Sequence, residues 1–298
     1  MTTRLLTSLL RIGAACAIGF ASLHAAAAAD DATGLRNRYT DLREQLDHNI
    51  FQRAIYIDST QAGENLKGDV YAVLDHPFSR VSGALKSPEN WCDILILPFN
   101  TKYCRAANGE GGANLQVRIG RKFDQPVQDA YLLQFAFRGV AATPEYFESR
   151  LAAKEGPLGT RDYHIAISAV PLDEKRTFMH LSYAYGYGVT GKMAMQIYLA
   201  TVGADKVGFS VTGKDASGQP IYMGGVRGAV ERTAMRYYLA IDAYLDALSV
   251  PHAQQLDRRI QNWFNATEQY PRQLREMDRP AYVAMKRNEV ERQQTASQ

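Results

Sequence analysis

The glycine-rich segment Gly186–Lys192 reads GYGVTGK and satisfies the pattern G-x-x-x-x-G-K. In nucleotide-binding proteins such a loop follows a strand, precedes a helix and aims backbone N–H groups at phosphate oxygens. The next residue here is Met193, where a phosphate-binding loop has a Ser or Thr whose hydroxyl holds Mg²⁺. We therefore favour a glycine-rich turn between a strand and a helix, with nucleotide binding as the alternative.

The histidines do not have the spacing of a metal site. No two of them are three or four residues apart, and neither H-E-x-x-H nor G-x-S-x-G occurs. We therefore expect no metal and no organic cofactor. His164 and His180 fall on successive predicted strands and could form a polar cluster with Arg138, Gln134 and Tyr183, although the outer, solvent-facing side of the sheet is the simpler place for them.

Three arginines, Arg227, Arg232 and Arg236, lie with Glu231 on one predicted helix. A solvated face or a sheet edge is the simpler interpretation of this charged group. Recognition of a carboxylate is the alternative, because a guanidinium can donate two parallel hydrogen bonds to it.

Residues 1–29 have the pattern of a secretory signal peptide. Arg4 and Arg11 provide the basic start, the run from Ile12 to Leu23 is uncharged, and Ala25–Ala29 supplies an Ala-x-Ala cleavage site. The uncharged run is shorter than the roughly 20 residues that a transmembrane helix needs. We expect an exported protein that is periplasmic or secreted.

Two cysteines, Cys92 and Cys104, remain after that segment. In an oxidising compartment an isolated pair predicts a disulfide, whereas a redox or metal pair would favour a C-x-x-C spacing or nearby histidines. The 298-residue chain has a formal net charge of +3, and the two signal-segment arginines account for two of those charges. A body so close to neutrality gives no reason to expect a nucleic-acid partner.

The pattern of apolar residues predicts an α+β fold. Between residues 115 and 189, apolar residues recur at every second position in several stretches, and short turns separate these stretches. This pattern is typical of an antiparallel meander. A 4,4,3,4,3,4 spacing of apolar residues then predicts one long amphipathic helix, Val226–Leu248. The other predicted helices are Leu35–Arg53, Phe78–Leu85, Lys192–Thr201 and Gln254–Gln269, and the other predicted strands are Gly68–Leu74 and Lys206–Thr212. The charged residues from Arg292 to the end are expected to form a frayed tail.

This order of elements resembles the helix-grip fold of the START/Bet v 1-like superfamily, on Gly68–Leu74, Pro77–Leu97, Leu115–Val189 and Val226–Leu248. The resemblance implies a curved antiparallel sheet wrapped around a long C-terminal helix, with an apolar cavity between them. It divides the chain into a signal peptide (1–29), an N-terminal helical segment (30–64), a START-like helix-grip domain (65–250) and a C-terminal helical extension (251–298). Residues 191–225 depart from the pattern as a sizeable insertion.

A single helix cannot fill a strongly curved sheet, so a cavity with apolar walls is also expected on physical grounds. The candidate wall residues are apolar or aromatic, and ordinary core packing is the alternative role for each: Trp91, Tyr131, Leu133, Phe135, Tyr183, Tyr185 and Ile241.

The predicted function is that of an exported binding or transfer protein for a lipid or other apolar small molecule, with a possible transient membrane contact. One alternative is an enzyme on the same scaffold, cyclase- or hydrolase-like, using His164, His180 or Arg138. Another is a non-catalytic interaction or assembly protein that docks a partner through Trp263 and Phe264.

Overall fold

The computed structural model describes residues 28–109, 112–201 and 203–295. The predicted signal peptide, 1–29, lies outside the described residues except for its last two positions. Among the described residues, no helix combines the length and apolarity needed to cross a bilayer.

Eight strands form one antiparallel sheet with the spatial order β1-β2-β8-β7-β6-β5-β4-β3. Their bounds are β1 (Ile55–Ala62), β2 (Asn65–Leu74), β3 (Thr101–Gly109), β4 (Gly112–Ile119), β5 (Tyr131–Ala142), β6 (Phe147–Glu155), β7 (Thr160–Pro171) and β8 (Thr177–Tyr187). Each strand from β3 to β8 pairs with the next along the chain, and β8 then pairs with β2 in register from Asn65–Gly186 to Leu74–Thr177. The sheet is therefore a meander of β3 to β8, and β2 and then β1 extend it beyond β8.

The described helices are α1 (28–47), α2 (Phe78–Leu85), α3 (Pro88–Leu95), α4 (Val189–Ala200), α5 (Gly225–Ala247), α6 (His252–Glu268), α7 (Pro271–Leu274) and α8 (Arg279–Thr295). The long helix α5 crosses the inner face of the sheet and packs against β2 at Gly68. A Cβ atom at Gly68 would lie 3.1 Å from the carbonyl oxygen of Val230. The absence of a side chain at Gly68 thus lets the helix backbone rest against the strand.

The sequence β2, α2, α3, β3–β8, α5 is that of the helix-grip fold, and the predicted α+β class is confirmed. The predicted disulfide is also present: Cys92 on α3 bonds to Cys104 on β3 with 5.1 Å between their Cα atoms. It fixes the second of the two short helices to the edge strand β3.

Two strands of the large sheet, β1 and β3, were not predicted. β1 lies at the edge of the sheet beside β2, within the segment 30–64 that was expected to be helical, so that expectation is wrong for Ile55–Ala62. The buried side chains Ile55, Ile57 and Ser59 alternate with partly exposed ones, which is the strand period.

The predicted insertion between β8 and α5 contains α4 and a small hairpin of β9 (Val211–Lys214) and β10 (Pro220–Tyr222). The predicted strand Lys206–Thr212 is irregular over most of its length, because β9 begins only at Val211. Residues 206–210 instead run against the start of α5, where the backbone N–H groups of Phe209 and Ser210 donate to Glu231 at 2.6 and 2.9 Å.

The outer face of the sheet is covered in part by α1. Its buried residues Leu35, Leu42 and Leu46 form a second apolar cluster with Val170 and Phe178 of the strands. The sheet is therefore buried on both faces here, which explains why Phe178 can be apolar although it has the opposite parity to the inner residues of β8.

The C-terminal helices belong to the main hydrophobic core. Trp263 and Phe264 of α6 are buried against Tyr282 of α8, with ring centroids 5.2 Å apart in both pairs. The hypothesis that Trp263 and Phe264 dock a partner is therefore wrong, because an internal helix already covers them. The helix α8 continues through Thr295, so the expected frayed tail is wrong as far as that residue.

Candidate ligand-binding cavity

A cavity of about 340 Å³ lies between α5 and the inner face of the sheet. Side chains from β4, β5, β7 and β8 form its floor, α5 forms one wall, and the 157–160 turn and α4 also line it. Its volume falls at the low end of the roughly 300–1,000 Å³ typical of small-molecule sites. The space is therefore large enough for one small ligand.

Four of the seven predicted wall residues line this cavity: Leu133, Phe135, Tyr183 and Tyr185. They have the inward parity on β5 and β8 that the alternating pattern predicts. Their role in ligand binding stays a prediction.

The other three predicted wall residues lie elsewhere. Trp91 is fully buried in α3, where its indole N–H donates to the carbonyl oxygen of Leu85 at 2.9 Å. Ile241 is buried about one helical turn beyond Tyr237, the last α5 residue on the cavity. Tyr131 is 51% exposed, because it is the first residue of β5 and lies outside the covered part of the sheet.

Four tyrosines cluster on the cavity: Tyr163, Tyr183, Tyr185 and Tyr237. The rings of Tyr163 and Tyr185 are stacked at 5.4 Å, and Tyr183 meets Tyr237 edge-on at 5.4 Å. Burial raises the pKa of all four phenols above the ordinary value. Their hydroxyls stay protonated at neutral pH. That of Tyr163 donates to Thr160 Oγ1 at 2.8 Å, and the other three can donate hydrogen bonds to a ligand inside apolar walls.

The cavity also has a basic side, which includes two arginines that the sequence interpretation placed on a solvated face or a sheet edge. Lys122, Arg232 and Arg236 all line it. Glu276 lies behind them and accepts hydrogen bonds from Lys122 Nζ at 2.7 Å and from Arg236 Nη2 at 2.6 Å. The Nη2 atom of Arg232 lies 3.2 Å from the hydroxyl oxygen of Tyr198 on α4.

The expectation of a solvated charged face on α5 is therefore wrong for most of its members. Arg232 is almost fully buried, as is Glu231, which accepts a hydrogen bond from Ser59 Oγ at 2.6 Å in addition to the two backbone bonds. Arg227 alone is half-exposed and contacts Ser59 on β1. The helical spacing gave no warning, because charged residues at these positions ordinarily face water.

The proposed polar cluster of histidines does not reach the cavity. His164 is exposed, and His180 lies on the outer face, where its Nε2 atom is 2.7 Å from Asp69 Oδ1 and its ring stacks on Tyr71 at 4.2 Å. Arg138 and Gln134 are exposed. An enzyme that uses His164, His180 or Arg138 in the cavity is thus excluded by their positions. Among the described residues, no group of three or more His, Cys, Asp or Glu could hold a metal ion.

The segment Gly186–Lys192 covers the end of β8, the connection at Gly188 and the first turn of α4, so it joins a strand to a helix as the favoured interpretation expected. Gly191 packs into this turn, where a Cβ atom would lie 3.0 Å from Tyr187 Cβ and 3.4 Å from the carbonyl oxygen of Leu158. Lys192 is exposed and does not line the cavity. A packing role thus accounts for the second glycine of the motif.

The helix α4 places apolar side chains on both of its sides. Gly191, Ala194, Met195 and Tyr198 face the cavity. Val189, Met193 and Ile197, spaced four residues apart, are 77%, 60% and 60% exposed on another face. An apolar stripe is thus exposed to solvent beside the cavity.

No family model matches the chain, and no curated protein matches it. Similar solved structures include a START superfamily protein from Mycobacterium smegmatis, which is 13% identical, with a TM-score of 0.32 over 46% of this chain and 89% of that one. Norcoclaurine synthase from Thalictrum flavum, in complex with dopamine and hydroxybenzaldehyde, is also 13% identical, with a TM-score of 0.32 over 53% and 87%.

The Zhui aromatase/cyclase from Streptomyces sp. R1128 is 9% identical, with a TM-score of 0.33 over 70% of this chain and 95% of that one. Likenesses of this size carry no information about the ligand or reaction of this chain. The helix-grip fold is evident without them, from the strand order and from the position of α5.

Proposed function

We propose that this protein is an exported binding or transfer protein that holds a lipid or other apolar small molecule in the cavity beneath α5. The observation that carries the proposal is the space of about 340 Å³ itself, lined by Leu133, Phe135 and the four tyrosines. Apolar walls with a few polar groups are the usual composition of a small-molecule site. A well-packed core, by contrast, leaves few voids larger than one water molecule.

Native mass spectrometry of gently purified protein tests this proposal. We expect a second, heavier species, the protein with a bound ligand, that loses its extra mass on denaturation. The released ligand should dissolve in organic solvent. Protein stripped of that species should bind Nile red, a neutral apolar dye, with one site per chain. Absence of both the heavier species and dye binding would show that the cavity holds no apolar guest.

The export part of the proposal is supported by the pattern of residues 1–29 and by the Cys92–Cys104 disulfide, because such bonds persist in oxidising compartments. Expression of the full chain in a bacterium, followed by intact-mass measurement of the periplasmic fraction, tests it. The expected mass is that of the chain from Asp30 onward, less the two hydrogens of the disulfide. Recovery of full-length protein from the cytoplasm alone would contradict export.

The transfer part is supported by the exposed stripe Val189, Met193 and Ile197 beside the cavity. A ligand that moves between a cavity and a bilayer benefits if the neighbouring surface is apolar, since such a surface partitions into the membrane interface. We expect the protein to accelerate Nile red exchange between phosphatidylcholine vesicles. The double variant Met193→Glu, Ile197→Glu should abolish the acceleration and retain dye binding, whereas Gln196→Glu on the same helix should behave as wild type. Equal acceleration by the double variant would show that the stripe plays no part in transfer, and no acceleration by the wild type would leave binding without transfer.

A further inference from the structure

We propose that the ligand is a single-chain amphiphile with an anionic head group, a carboxylate or a phosphate, bound by Lys122, Arg232 and Arg236. Its tail would lie among Leu133, Phe135 and the four tyrosines. This inference rests on the proposed function and specifies the chemical class of the guest.

The first argument is the charge of the lining. Three basic side chains face the cavity, and none of the residues that line it is acidic. Glu276, which lies behind the lining, is the carboxylate that both Lys122 and Arg236 contact. One carboxylate thus forms ion pairs with two cations and compensates only one positive charge. A third cation, Arg232, lies next to them.

The second argument is that Arg232 has no carboxylate partner among the described residues. Its Nη1 atom donates to the carbonyl oxygen of Val207 and its Nη2 atom to the hydroxyl of Tyr198, both at 3.2 Å. A guanidinium has five N–H donors and is always charged, so two long bonds to neutral acceptors leave it poorly compensated. A buried cation in this state is costly unless an anion joins it.

The third argument comes from the neighbouring groups. Arg236 Nε is buried and lacks an acceptor. Lys206 lies close to the same cations, and its pKa is lowered, chiefly by burial. The charge of Glu276 opposes this shift, and the charges of the three cavity cations add to it. Tyr198 is affected in the same way: burial would raise its pKa, but the charges of Lys122 and Arg232 bring it below the ordinary value. At Tyr198 the two cations outweigh Glu276, so the potential at this side of the cavity is positive.

A cationic guest is the main rival, because tyrosine rings can enclose an ammonium group. Three basic groups on the same cavity would repel it. A two-chain lipid is disfavoured by the volume of about 340 Å³, which suits a ligand with one short tail. Arginine is well matched to planar carboxylates and to phosphates, both of which accept paired hydrogen bonds.

The test compares head groups on the wild-type protein, from which the signal peptide has been removed by export and any bound ligand stripped. Dodecanoate, dodecyl phosphate, dodecanol and dodecyltrimethylammonium compete with Nile red below their micelle concentrations. We expect both anions, or one of them, to bind at least about tenfold more tightly than the alcohol, a difference of about 1.4 kcal/mol. The anion that binds more tightly identifies the preferred head group as a carboxylate or a phosphate. We also expect higher salt to weaken the binding of the anions and to leave the binding of the alcohol unchanged.

Substitutions then locate the head group. Lys122→Gln and Arg232→Gln should each weaken anion binding about tenfold and leave dodecanol binding unchanged. Arg227→Gln, on the same helix but outside the cavity, is the matched control and should change neither. If Arg232→Gln fails to fold, Lys122→Gln and the wild-type head-group series decide the question.

Two outcomes overturn different statements. Equal or stronger binding of dodecanol, or of the ammonium compound, would overturn the anionic head group while leaving an apolar cavity in use. Failure of all four compounds and of Nile red to bind would overturn the proposed function itself.

Discussion

Arg232 on α5 donates through Nη2 to the hydroxyl of Tyr198 on α4, with 3.2 Å between the two atoms. The bond joins the long helix to the inserted helix, and both residues line the cavity. It therefore links the charge inside the cavity to the position of the helix beside it.

Replacing Tyr198 with Phe removes that bond and leaves the ring. We expect faster amide hydrogen exchange throughout α4, because few other contacts hold this helix to α5, and a loss of at most about 1 kcal/mol in the free energy of unfolding. Tyr146→Phe is the control. It also removes a tyrosine hydrogen bond, the one to Glu148 with an O–O distance of 2.8 Å, but at a place remote from the cavity. Unchanged exchange in α4 would mean that the bond does not restrain it.

Filling the cavity should compete with the ligand. Ala229 on α5 lines the space, and a phenyl ring at this position would occupy part of it. We expect Ala229→Phe to lower Nile red affinity by at least about tenfold, with a change in unfolding free energy within about 1.5 kcal/mol, because the ring enters an existing void. Ala253→Phe, exposed on α6, should leave dye binding unchanged. A stable Ala229→Phe variant with wild-type affinity would place the dye elsewhere.

The start of α5 tolerates no side chain at Gly228. A Cβ atom there would lie 2.6 Å from the carbonyl oxygen of Met223 and 3.0 Å from the amide nitrogen of Gly208, and neither backbone atom can rotate away. We expect Gly228→Ala to lower the free energy of unfolding by about 1–3 kcal/mol.

A matched glycine supplies the control. Gly83 in α2 has open space around it, so Gly83→Ala should raise the free energy of unfolding by about 0.5–1 kcal/mol through helix propensity. Urea unfolding of both variants measures the two effects. Equal effects would show that the contact at Gly228 relaxes.

The meander and the long helix were predictable because their apolar residues recur at regular intervals along the sequence. Strands β5, β7 and β8 each contain a central stretch in which buried and more exposed residues alternate, and α5 keeps its apolar spacing over 23 residues. The strand β1 was missed because only Ile55 and Ile57 mark its inward side, and its third inward residue, Ser59, is polar. Period alone cannot identify so short a signal.

The candidate site was predictable on the sheet and not on the helices. Strand parity selected Leu133, Phe135, Tyr183 and Tyr185 directly. It could not select Lys122, which lies in an irregular segment, or Glu276, which reaches Lys122 across 154 positions in the sequence. Buried arginines such as Arg232 are rare enough that sequence reasoning assigns them to the surface.

His76 predicts a pH dependence of stability. Burial alone would lower its pKa, but the carboxylates of Asp242 and Asp246, 3.8 and 3.4 Å from Nε2, raise the pKa to about 9. A raised pKa means that the folded state binds the proton more tightly than the unfolded state, whose histidine has a pKa near 6.5. The stabilisation is thus fully present below about pH 6.5 and is lost as the pH rises through about 9.

Urea unfolding of wild type and His76→Gln at pH 6 and pH 9.5 measures this effect. The distances are those of ion pairs rather than short hydrogen bonds, so we expect the variant to be less stable by about 1–3 kcal/mol at pH 6 and the difference to shrink at pH 9.5. His164→Gln, exposed on the outer face, should follow the wild-type pH dependence. A difference that stays constant with pH would contradict the ion-pair assignment.

The last expectation concerns the buried ionic cluster of Lys102, Lys286 and Glu289, which fixes α8 to the start of β3 and to the residues just before it. Glu289 accepts from Lys102 Nζ at 2.9 Å and from Lys286 Nζ at 2.7 Å, and all three side chains are inaccessible to solvent. The remaining bonds of Lys286 go to the carbonyl oxygens of Pro98 and Thr101, two residues that line the cavity. The cluster thus supports one wall of the site.

Glu289→Gln leaves two buried ammonium groups without a carboxylate, so we expect a loss of about 3–5 kcal/mol in unfolding free energy and a weaker apolar site. Burial, together with the charge of Lys102, already lowers the pKa of Lys286 to about 8, and removing Glu289 lowers it further. A lysine whose folded pKa lies below 10.5 makes the protein more stable as the pH rises, because the unfolded state then binds more protons. The deficit of the variant should therefore shrink between pH 7 and pH 10. Glu291→Gln, exposed on the same helix, should show neither effect, and a Glu289→Gln deficit below about 1 kcal/mol at pH 7 would mean that water reaches the cluster.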